Sequence, residues 1–326
     1  IGTKTNNIGY LSFKAHGKFE IPNSLYVRKE RGHYYVSFCY EQGQPDRKLS
    51  TNEEHLAFLQ GATREYLEEH TMGVDRGVAI PVCAGEQTYD FTHSQKKNMS
   101  KADRYIKRLQ RKLARQQKGS NRRAKTKHRI AVHHAKKANI RNDFAHKTSR
   151  LLVDSSAKII VFEALRTARM TRRPKAKQDE QGRFISNKAK QKAGLNKSIL
   201  NVGWHVIETY TYYKAYSSSK AVFKIPAPTT SQECAKCGHT HPDNRKTQAL
   251  FVCGNCGNTD NADHNASLVI KKRAINLILD TGTVLSGDGV LRTQSDSGRG
   301  GNRKTGRAKS STSSAQRSVK KEKLAA

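Results

Sequence analysis

What the sequence lacks narrows its class before any motif is considered. None of its apolar runs approaches the roughly 18 residues that a membrane-spanning helix needs, and no amphipathic stretch combines aromatic with lysine side chains as a membrane-surface helix does. No signal peptide is visible at the amino end, and no segment repeats. These absences argue against a membrane protein, a secreted protein and a repeat array.

Acidic residues are also scarce. The 326 residues include 27 Asp and Glu against 61 Lys and Arg, which gives a formal charge of +34. A charge of this size attracts polyanions and makes their binding steeply dependent on salt. Nucleic acid is therefore the favoured partner, and an anionic membrane surface is the competing explanation. An apolar content of 35% still supports an ordered core of moderate size in a chain of two or three domains.

The basic excess is concentrated in residues 96–150, which contain 20 Lys and Arg but only two acids, Asp103 and Asp143. Apolar residues at helical spacing on both sides of Gly119 predict a basic helical hairpin over 94–150. A solvated charged surface is the alternative, but one sign in such excess repels itself without a polyanion. We expect nucleic-acid contacts from Arg104, Arg108, Arg111, Lys112, Arg115, Arg122, Arg123 and Lys127.

Four of the six cysteines form two CxxC turns separated by fifteen residues: Cys234, Cys237, Cys253 and Cys256. This spacing predicts a four-thiolate zinc site in a zinc ribbon, with a pair of redox dithiols as the alternative. Thiolates reserved for zinc imply a reducing compartment, so we expect an intracellular protein. Cys39 and Cys83 lie in apolar strand-like runs and are predicted to be core residues.

Three acids each lie at the end of an apolar stretch or at the start of a helix: Asp75, Glu163 and Asp263. Carboxylates at a sheet edge can hold hard divalent cations. We predict that the three hold two Mg²⁺ or Mn²⁺ ions roughly 4 Å apart, as in a metal-dependent nuclease. Surface acids are the alternative, and Asp263 in particular suits a helix cap.

Periodicity and turn residues predict the remaining elements. Residues 1–49 alternate like half-buried strands, and a capping box at Thr51 and Glu54 begins a helix that runs to His70. The other predicted elements are strands over 73–75, 78–82, 87–91, 158–163 and 221–225, a mobile loop over 166–195, a helix over 199–213 and a last helix from 263.

Six short motifs, in this order, resemble the TnpB (OrfB) family, whose members are encoded in insertion sequences and are related to the nucleases of type V CRISPR systems. Residues 73–77 (GVDRG), 162–165 (FEAL) and 260–266 (DNADHNA) resemble the three RuvC motifs, which contain the acids. Residues 142–147 (NDFAHK), 194–200 (GLNKSIL) and 230–238 (TSQECAKCG) are similar to further family signatures.

The resemblance implies an α/β, RNase H-like (RuvC) nuclease that cleaves DNA under the direction of a guide RNA, with structural Zn²⁺ and with Mg²⁺ or Mn²⁺ at the acids. The loop after Glu163 would act as a lid, and the protein would work as a monomeric ribonucleoprotein without the family's N-terminal recognition region. The implied domains are 1–50, a partial antiparallel β-barrel (wedge-like); 51–71, a helical linker; 72–230, the RuvC domain; 231–260, the zinc ribbon; 261–286, the last RuvC helix; and 287–326, a disordered basic tail.

Two other functions fit the same residues. One is a nuclease-inactive nucleic-acid-binding regulator, and the other is a transposase that transfers DNA strands, because RNase H-like folds serve there too. Among single residues, we expect His264 to be a hydrogen-bonded bystander of Asp263. His239 and His241 are expected to be exposed rather than to replace a cysteine ligand, and Trp204 is expected in the core rather than stacked on a base.

Overall fold

The computed structural model describes residues 12–15, 20–30, 33–40 and 49–293. Its first element is an antiparallel hairpin of two strands, β1 (Ser24–Glu30) and β2 (His33–Cys39), in which Ser24 faces Cys39. Among the described residues this hairpin has no further strand, so the predicted barrel over 1–50 stays a prediction, with part of it outside the described residues. Cys39 is only half-buried, and its assignment to the core is wrong.

The predicted helix over 51–70 is two helices, α1 (Asn52–Leu59) and α2 (Arg64–His70). The predicted capping box is confirmed, because Thr51 and Glu54 bond each other's backbone N–H groups at 3.2 and 2.9 Å. A second cap interrupts the run: Thr63 has an extended backbone, and its hydroxyl accepts a hydrogen bond from the N–H of Tyr66. The chain therefore ends one helix and begins another within four residues.

Three short strands and a long helical hairpin follow. The predicted strand over 78–82 is wrong, because residues 78–81 form a bend and pairing starts at Val82. The helical hairpin predicted over 94–150 is confirmed, and each of its helices has a hydroxyl N-cap, from Thr92 and Ser120. These elements are β3 (Thr71–Val74), β4 (Val82–Ala84), β5 (Gln87–Tyr89), α3 (His93–Ala114) and α4 (Asn121–Asp154).

The next segment contains more regular structure than predicted. Residues 189–195, assigned to a mobile loop, begin a helix, and the helix predicted over 199–213 is divided at Gly203, whose φ of +79° is a left-handed conformation that suits glycine. The elements are β6 (Ile159–Glu163), α5 (Thr167–Met170), β7 (Lys177–Gln178), β8 (Phe184–Ile185), α6 (Ala189–Val202) and α7 (Trp204–Ser217).

The last segment ends in a hairpin where a disordered tail was expected. Val290 and Leu291 are buried, so the boundary at 287 is wrong, and the predicted tail from residue 294 lies outside the described residues. The elements are β9 (Ala221–Ile225), β10 (Leu250–Val252), β11 (Thr259–Asn261), α8 (Ala262–Leu279), β12 (Thr283–Leu285) and β13 (Leu291–Thr293).

A mixed α/β core is organised by three parallel strands, in the order β3, β6, β9. A pair of hydrogen bonds between Asp75 and Cys83 adds the β4–β5 hairpin in antiparallel orientation beside β3, so the full order is β5-β4-β3-β6-β9. Helices cover both faces of this sheet, as a parallel sheet requires.

The residues of β6 show how the two faces are filled. Ile160 and Phe162 pack with α4, α6 and α7 on one face, whereas Ile159 and Val161 pack with α1, α2 and α8 on the other. All four are at most 1% exposed, and burial of each such side chain contributes roughly 1.5–3 kcal/mol. In the part of the chain that the structure describes, no helix has both the length and the apolar composition to cross a bilayer.

Candidate functional site

Two of the three predicted acids meet because their strands run side by side. In the parallel pair β3 and β6, Val74 is opposite Phe162, so the next residues, Asp75 and Glu163, follow at the same level of the sheet. Both side chains are in the core, with exposures of 9% and 6%. The carboxyl ends of adjacent parallel strands therefore bring together two residues that are 88 positions apart in sequence.

A glycine brings the third acid to the same place. A Cβ on Gly73 would lie 2.1 Å from the carbonyl oxygen of Ser267 and 2.6 Å from the amide nitrogen of Lys271, so the backbone of α8 rests directly on β3. Asp263 is one helical turn before Ser267 and is 4% exposed. Close packing at Gly73 thus places the first turn of α8 beside Asp75.

The helix-cap alternative for Asp263 is wrong. The N-cap of α8 is Asn261, whose side-chain oxygen accepts hydrogen bonds from the N–H groups of Asp263 and His264 at 3.0 and 3.2 Å. The carboxylate of Asp263 instead accepts a hydrogen bond from Nη2 of Arg245 at 3.1 Å. Its side chain is therefore directed toward the acid cluster and its basic partner.

The three carboxyl groups influence one another's ionisation. Burial raises the pKa of Asp75 to about 7, and the negative charges of Glu163 and Asp263 add to this shift. Burial also raises the pKa of Glu163 and of Asp263. Three buried acids that resist ionisation together form a site that positive charge would stabilise.

Two neighbouring residues, Arg245 and Thr230, partly stabilise the ionised form of the acids. Arg245 lowers the pKa of all three acids, and it is anchored by a 3.0 Å hydrogen bond to the carbonyl of Gln248. The hydroxyl of Thr230 donates a hydrogen bond to Oε1 of Glu163. The sequence did not single out Arg245, which lies between the two CxxC turns and is one of 61 basic residues.

The acid cluster is more open than the cysteine cluster. Within the described ranges, only the four cysteines bring at least three potential metal-ligating atoms within 4.8 Å of one another. The oxygens of the three acids therefore do not close into such a group. Like charges and the hydrogen bond from Arg245 are physical reasons for this wider spacing.

The four cysteines converge as their spacing predicts. Sγ of Cys234 lies 3.7 Å from Sγ of Cys256, and Sγ of Cys237 lies 3.6 Å from Sγ of Cys253. Four sulfurs at about 2.3 Å from one tetrahedral ion would be about 3.8 Å apart, so the set fits zinc. Gly238 and Gly257 complete the turns at φ of +77° and +68°.

The segment between Glu233 and Asn261 is fastened to α8. The side chain of Asn265, which is fully buried, accepts a hydrogen bond from the N–H of Ala235 at 3.0 Å and donates one to the carbonyl of Glu233 at 2.7 Å. Arg273 also pairs with the carboxylate of Glu233. Because α8 contains both Asp263 and Asn265, the cysteine cluster and the acid cluster share one support.

The histidine and tryptophan expectations are confirmed. Nδ1 of His264 lies 2.8 Å from the carboxylate of Asp260 rather than on Asp263. His239 and His241 are exposed, and the N–H of Asp243 donates a hydrogen bond to Nδ1 of His241. Trp204 is 5% exposed and packs in the core.

On the basic hairpin, one predicted contact residue also has a structural role. Arg123 is half-buried and donates hydrogen bonds to the carbonyls of Leu113 and Gln116 at the end of α3, so it joins the two helices, and its contact with nucleic acid stays a prediction. The other seven predicted residues are exposed: Arg104, Arg108, Arg111, Lys112, Arg115, Arg122 and Lys127.

The acids of the hairpin are occupied by internal ion pairs. Asp103 accepts hydrogen bonds from Lys137 at 2.6 Å and from Lys197 of α6 at 2.8 Å, and Asp143 pairs with Lys147 at 2.9 Å. The contact of Asp103 with Lys197 joins the hairpin to α6, and these pairs leave most of the hairpin's cations without a negative partner in the described structure. The exposed side of the hairpin is therefore strongly positive.

Comparison with protein families gives two matches. The profile described as "Probable transposase" (OrfB_IS605) matches residues 37–173, and the profile "Cas12f1-like, TNB domain" matches residues 204–270. The first match includes Asp75 and Glu163, and the second includes Asp263 and all four clustered cysteines.

Two curated proteins are similar to this chain. The "Putative RNA-guided DNA endonuclease InsQ" of Escherichia coli (strain K12) is 36% identical over 197 residues, which are 60% of this chain and 47% of InsQ. The "CRISPR-associated endodeoxyribonuclease Cas12f1" of Sulfoacidibacillus thermotolerans is 27% identical over 263 residues, which are 77% of this chain and 53% of that protein. The chain thus spans about half the length of the curated relatives it matches.

Similarity to solved structures is weaker. A chain of the "Cryo-EM structure of the Cas12f1-sgRNA-target DNA complex" aligns with a TM-score of 0.41 at 16% identity, over 62% of this chain and 50% of that one. A chain of the "Cryo-EM structure of CasPhi-2 (Cas12j) bound to crRNA" aligns with a TM-score of 0.42 at 15% identity, over 74% of this chain and 53% of that one. Neither alignment is close enough to support a functional argument.

Proposed function

The chain belongs to the TnpB (OrfB) family, and we propose that it is an RNA-guided DNA endonuclease of a mobile insertion sequence, with its metal-dependent active site at Asp75, Glu163 and Asp263. The observation that carries this proposal is the convergence of three buried acids from separate parts of the chain, with the pKa of Asp75 raised to about 7 by burial and by the other two. Such a cluster suits hard divalent cations, which prefer oxygen ligands.

The order of strands supports an RNase H-like assignment for the nuclease domain. An antiparallel hairpin, β4–β5, lies beside β3, and β6 and β9 extend the sheet in parallel on the other side. We place the active site at the carboxyl ends of β3 and β6, where ligands bind in open α/β sheets. The four cysteines would hold structural Zn²⁺, and thiolates of this kind suit an intracellular compartment.

The chain's own residues would prepare the site for phosphodiester hydrolysis. Asp75, Glu163 and Asp263 would hold Mg²⁺ or Mn²⁺, and bound cations would supply water activation and stabilisation of the leaving 3′ oxygen. Thr230 orients Glu163 through its hydroxyl, and Arg245 offsets the negative charge of the cluster. Burial of the acids excludes bulk water from their inner faces, which strengthens electrostatic interactions there.

The exposed cations of the basic hairpin, such as Arg104, Arg108 and Arg111, would contact guide RNA and target DNA through their phosphates. Contacts of this type position a nucleic acid but do not read its sequence. Sequence selection would then come from base pairing with the guide. We propose a monomeric ribonucleoprotein as the working form.

Purification of the protein from its host, followed by sequencing of the copurified RNA and a cleavage assay, tests the proposal. We expect a defined RNA, and double-stranded DNA cleavage that needs both this RNA and Mg²⁺ and stops in EDTA. The Asp75→Ala protein, purified in parallel, should bind the same RNA and leave the DNA intact.

Other results would favour the rival functions. Binding of nucleic acid without cleavage by the wild-type protein, at any Mg²⁺ or Mn²⁺ concentration, would indicate a regulator. Strand-transfer products formed without RNA would indicate a transposase. Cleavage that persists in the Asp75→Ala protein would refute the assignment of the site.

A further inference from the structure

A buried arginine lies directly after the first acid. The side chain of Arg76 is 2% exposed and stacks on the ring of Phe162, with its guanidinium carbon 5.0 Å from the ring centroid. Nη2 donates a hydrogen bond to the backbone carbonyl of Glu163, and Nη1 donates one to Oε2 of Glu208 at 2.6 Å. One guanidinium thus joins the end of β3 to the end of β6.

Glu208 is the only side-chain anion that the described structure pairs with Arg76. It lies on α7, outside the acid cluster, and it also accepts a hydrogen bond from Lys224 of β9 at 3.2 Å. Burial alone would raise the pKa of Glu208, but the charges of Arg76 and Lys224 outweigh it, so the pKa is lowered and the carboxylate stays ionised. The carboxylate of Glu208 therefore connects α7 with the residue after β3 and with β9.

The same helix holds the loop at a second point. Trp204 precedes Glu208 by four residues, so both lie on one face of α7. Its Nε1 donates a hydrogen bond to the carbonyl of Gly77 at 3.0 Å. A Cβ on Gly77 would lie 2.6 Å from the carbonyl of Ile80, so this loop has little room to adopt another path. Consecutive residues after Asp75 are therefore fixed by α7.

Loss of the ion pair between Arg76 and Glu208 would have an energetic cost. A buried guanidinium without its carboxylate is an uncompensated charge, so removing one partner of such an ion pair is strongly destabilising. Arg76 would relieve this penalty by turning toward other acceptors, such as Glu163, whose backbone carbonyl it already contacts and whose pKa its charge already lowers. Loss of Glu208 should therefore disturb the acid cluster before it disturbs the distant parts of the fold.

We propose that Glu208, acting through Arg76, is a positioning residue of the active site, which sets the placement of Asp75 relative to Glu163. Glu208 touches neither acid, so its effect must pass through the guanidinium. The proposal rests on the function proposed above, because it assumes that the two acids hold divalent cations. Partners that orient metal ligands in this indirect way commonly change metal affinity or activity by about 10–100-fold when they are mutated.

The test compares Glu208→Ala with Glu208→Gln in the full-length, zinc-loaded protein with its copurified RNA. Mn²⁺ affinity is measured from the loss of the free-ion EPR signal, and cleavage is measured in parallel. We expect the alanine variant to lose at least about tenfold in both. The glutamine variant should fall between the alanine variant and wild type, since its amide oxygen can still accept the hydrogen bond from Arg76 but its neutral side chain no longer compensates the guanidinium charge.

A matched control shows whether an effect comes from the location of Glu208 or from the loss of any negative charge. Glu69→Gln removes an exposed carboxylate of α2 and should leave both readouts unchanged. A purely structural role of Glu208 predicts a lower melting temperature with normal Mn²⁺ affinity in the folded fraction, and that result would overturn the proposal. Wild-type behaviour of Glu208→Ala would overturn it as well.

Arg76→Lys covers the case in which the alanine variant does not fold. It keeps the charge, but a single ammonium group cannot reproduce the two-pronged contact with Glu208 and Glu163. Full Mn²⁺ affinity and cleavage in this variant would contradict the proposal. If the wild-type protein itself neither binds Mn²⁺ nor cleaves DNA, the proposed function fails and this inference fails with it. If the wild-type protein does both and the Glu208 and Arg76 variants do so equally well, this inference fails but the proposed function stands.

Discussion

The cysteine cluster and the acid cluster are two candidate metal sites that the chain builds in different ways. The four sulfurs lie within 4.8 Å of one another, with closest pairs at 3.6 and 3.7 Å. The three carboxylates are buried and electrostatically coupled, yet their oxygens do not close into such a group. One set of ligands is already arranged for an ion, and the other remains open.

The difference follows from the range of the interactions that form each site. Each CxxC turn places two sulfurs by local backbone geometry, which the glycine after it completes. The acids depend on strand pairing and on the packing of α8 at Gly73, so their spacing is decided by the whole fold. A structural metal benefits from the closed arrangement, whereas catalysis needs open positions for water and substrate.

The largest expected effect tests the closed site. Cys253→Ser should release the metal, because structural zinc contributes an apparent free energy of about 10–16 kcal/mol to folding of small zinc domains. We expect less than one zinc per chain by atomic absorption and a lower melting temperature. Cleavage should fall too, since this segment provides Arg245 and is fastened to α8. Full zinc content in the variant would contradict the four-cysteine site.

The next effect tests the open site alone. Asp75→Ala should lower the cleavage rate by about 10³-fold or more, because the loss of a metal ligand removes several kcal/mol of transition-state stabilisation. Zinc content and RNA binding should not change. Loss of zinc from Asp75→Ala would show that the two clusters are not separable.

Ionisation of Asp75 should make the stability of the protein depend on pH. The folded pKa of Asp75 is about 7 against an ordinary value of 3.8, so the folded protein binds this proton more tightly than the unfolded chain does. Its contribution is fully present below about pH 4 and is lost as the pH rises through about 7. Without divalent cations in the buffer, the free energy of unfolding should fall by up to about 4 kcal/mol over this range.

Urea denaturation of the zinc-loaded protein at several pH values measures this loss, with Asp75→Asn as the reference that lacks the titrating group. The difference between the two proteins measures the titration of Asp75 together with its coupling to Glu163 and Asp263. Added Mg²⁺ or Mn²⁺ should reduce the decline at high pH. An equal pH profile for both proteins would contradict the strong coupling of the acids.

A smaller effect is expected where α8 rests on β3. Gly73→Ala places a methyl group against the backbone at Ser267 and should destabilise by about 1–3 kcal/mol, as overpacking does. Because α8 must move, cleavage should fall while the zinc content stays at one per chain. Gly194→Ala in α6 has open space around the new Cβ and should be neutral or stabilising in the same thermal melt.

Local patterns were sufficient to predict much of this fold. The apolar run before Glu163 predicted β6, the distribution of apolar residues predicted the long hairpin of α3 and α4, and the CxxC spacing predicted the sulfur cluster. These features depend on short-range periodicity or on turns. The three acids were identified from their position at the ends of apolar stretches and from the resemblance to a family.

Other features depend on contacts between distant residues and could not be predicted. Arg123 lies in a strongly basic stretch of sequence that is typical of an exposed surface, yet its side chain donates a hydrogen bond to a backbone carbonyl at the end of α3. Arg245 and Glu208 belong to no recognised motif, and only the folded chain brings them to Asp263 and Arg76. The break at Gly203 and the hairpin of β12 and β13 were missed because packing decides them.

The most direct test of the account is anomalous X-ray scattering from crystals of the zinc-loaded protein soaked with Mn²⁺. The account predicts a manganese peak in contact with carboxylate oxygens of Asp75, Glu163 and Asp263, and a separate zinc peak among the four sulfurs. Zinc at the sulfurs with no manganese at the three acids, at concentrations that support cleavage, would contradict the central claim.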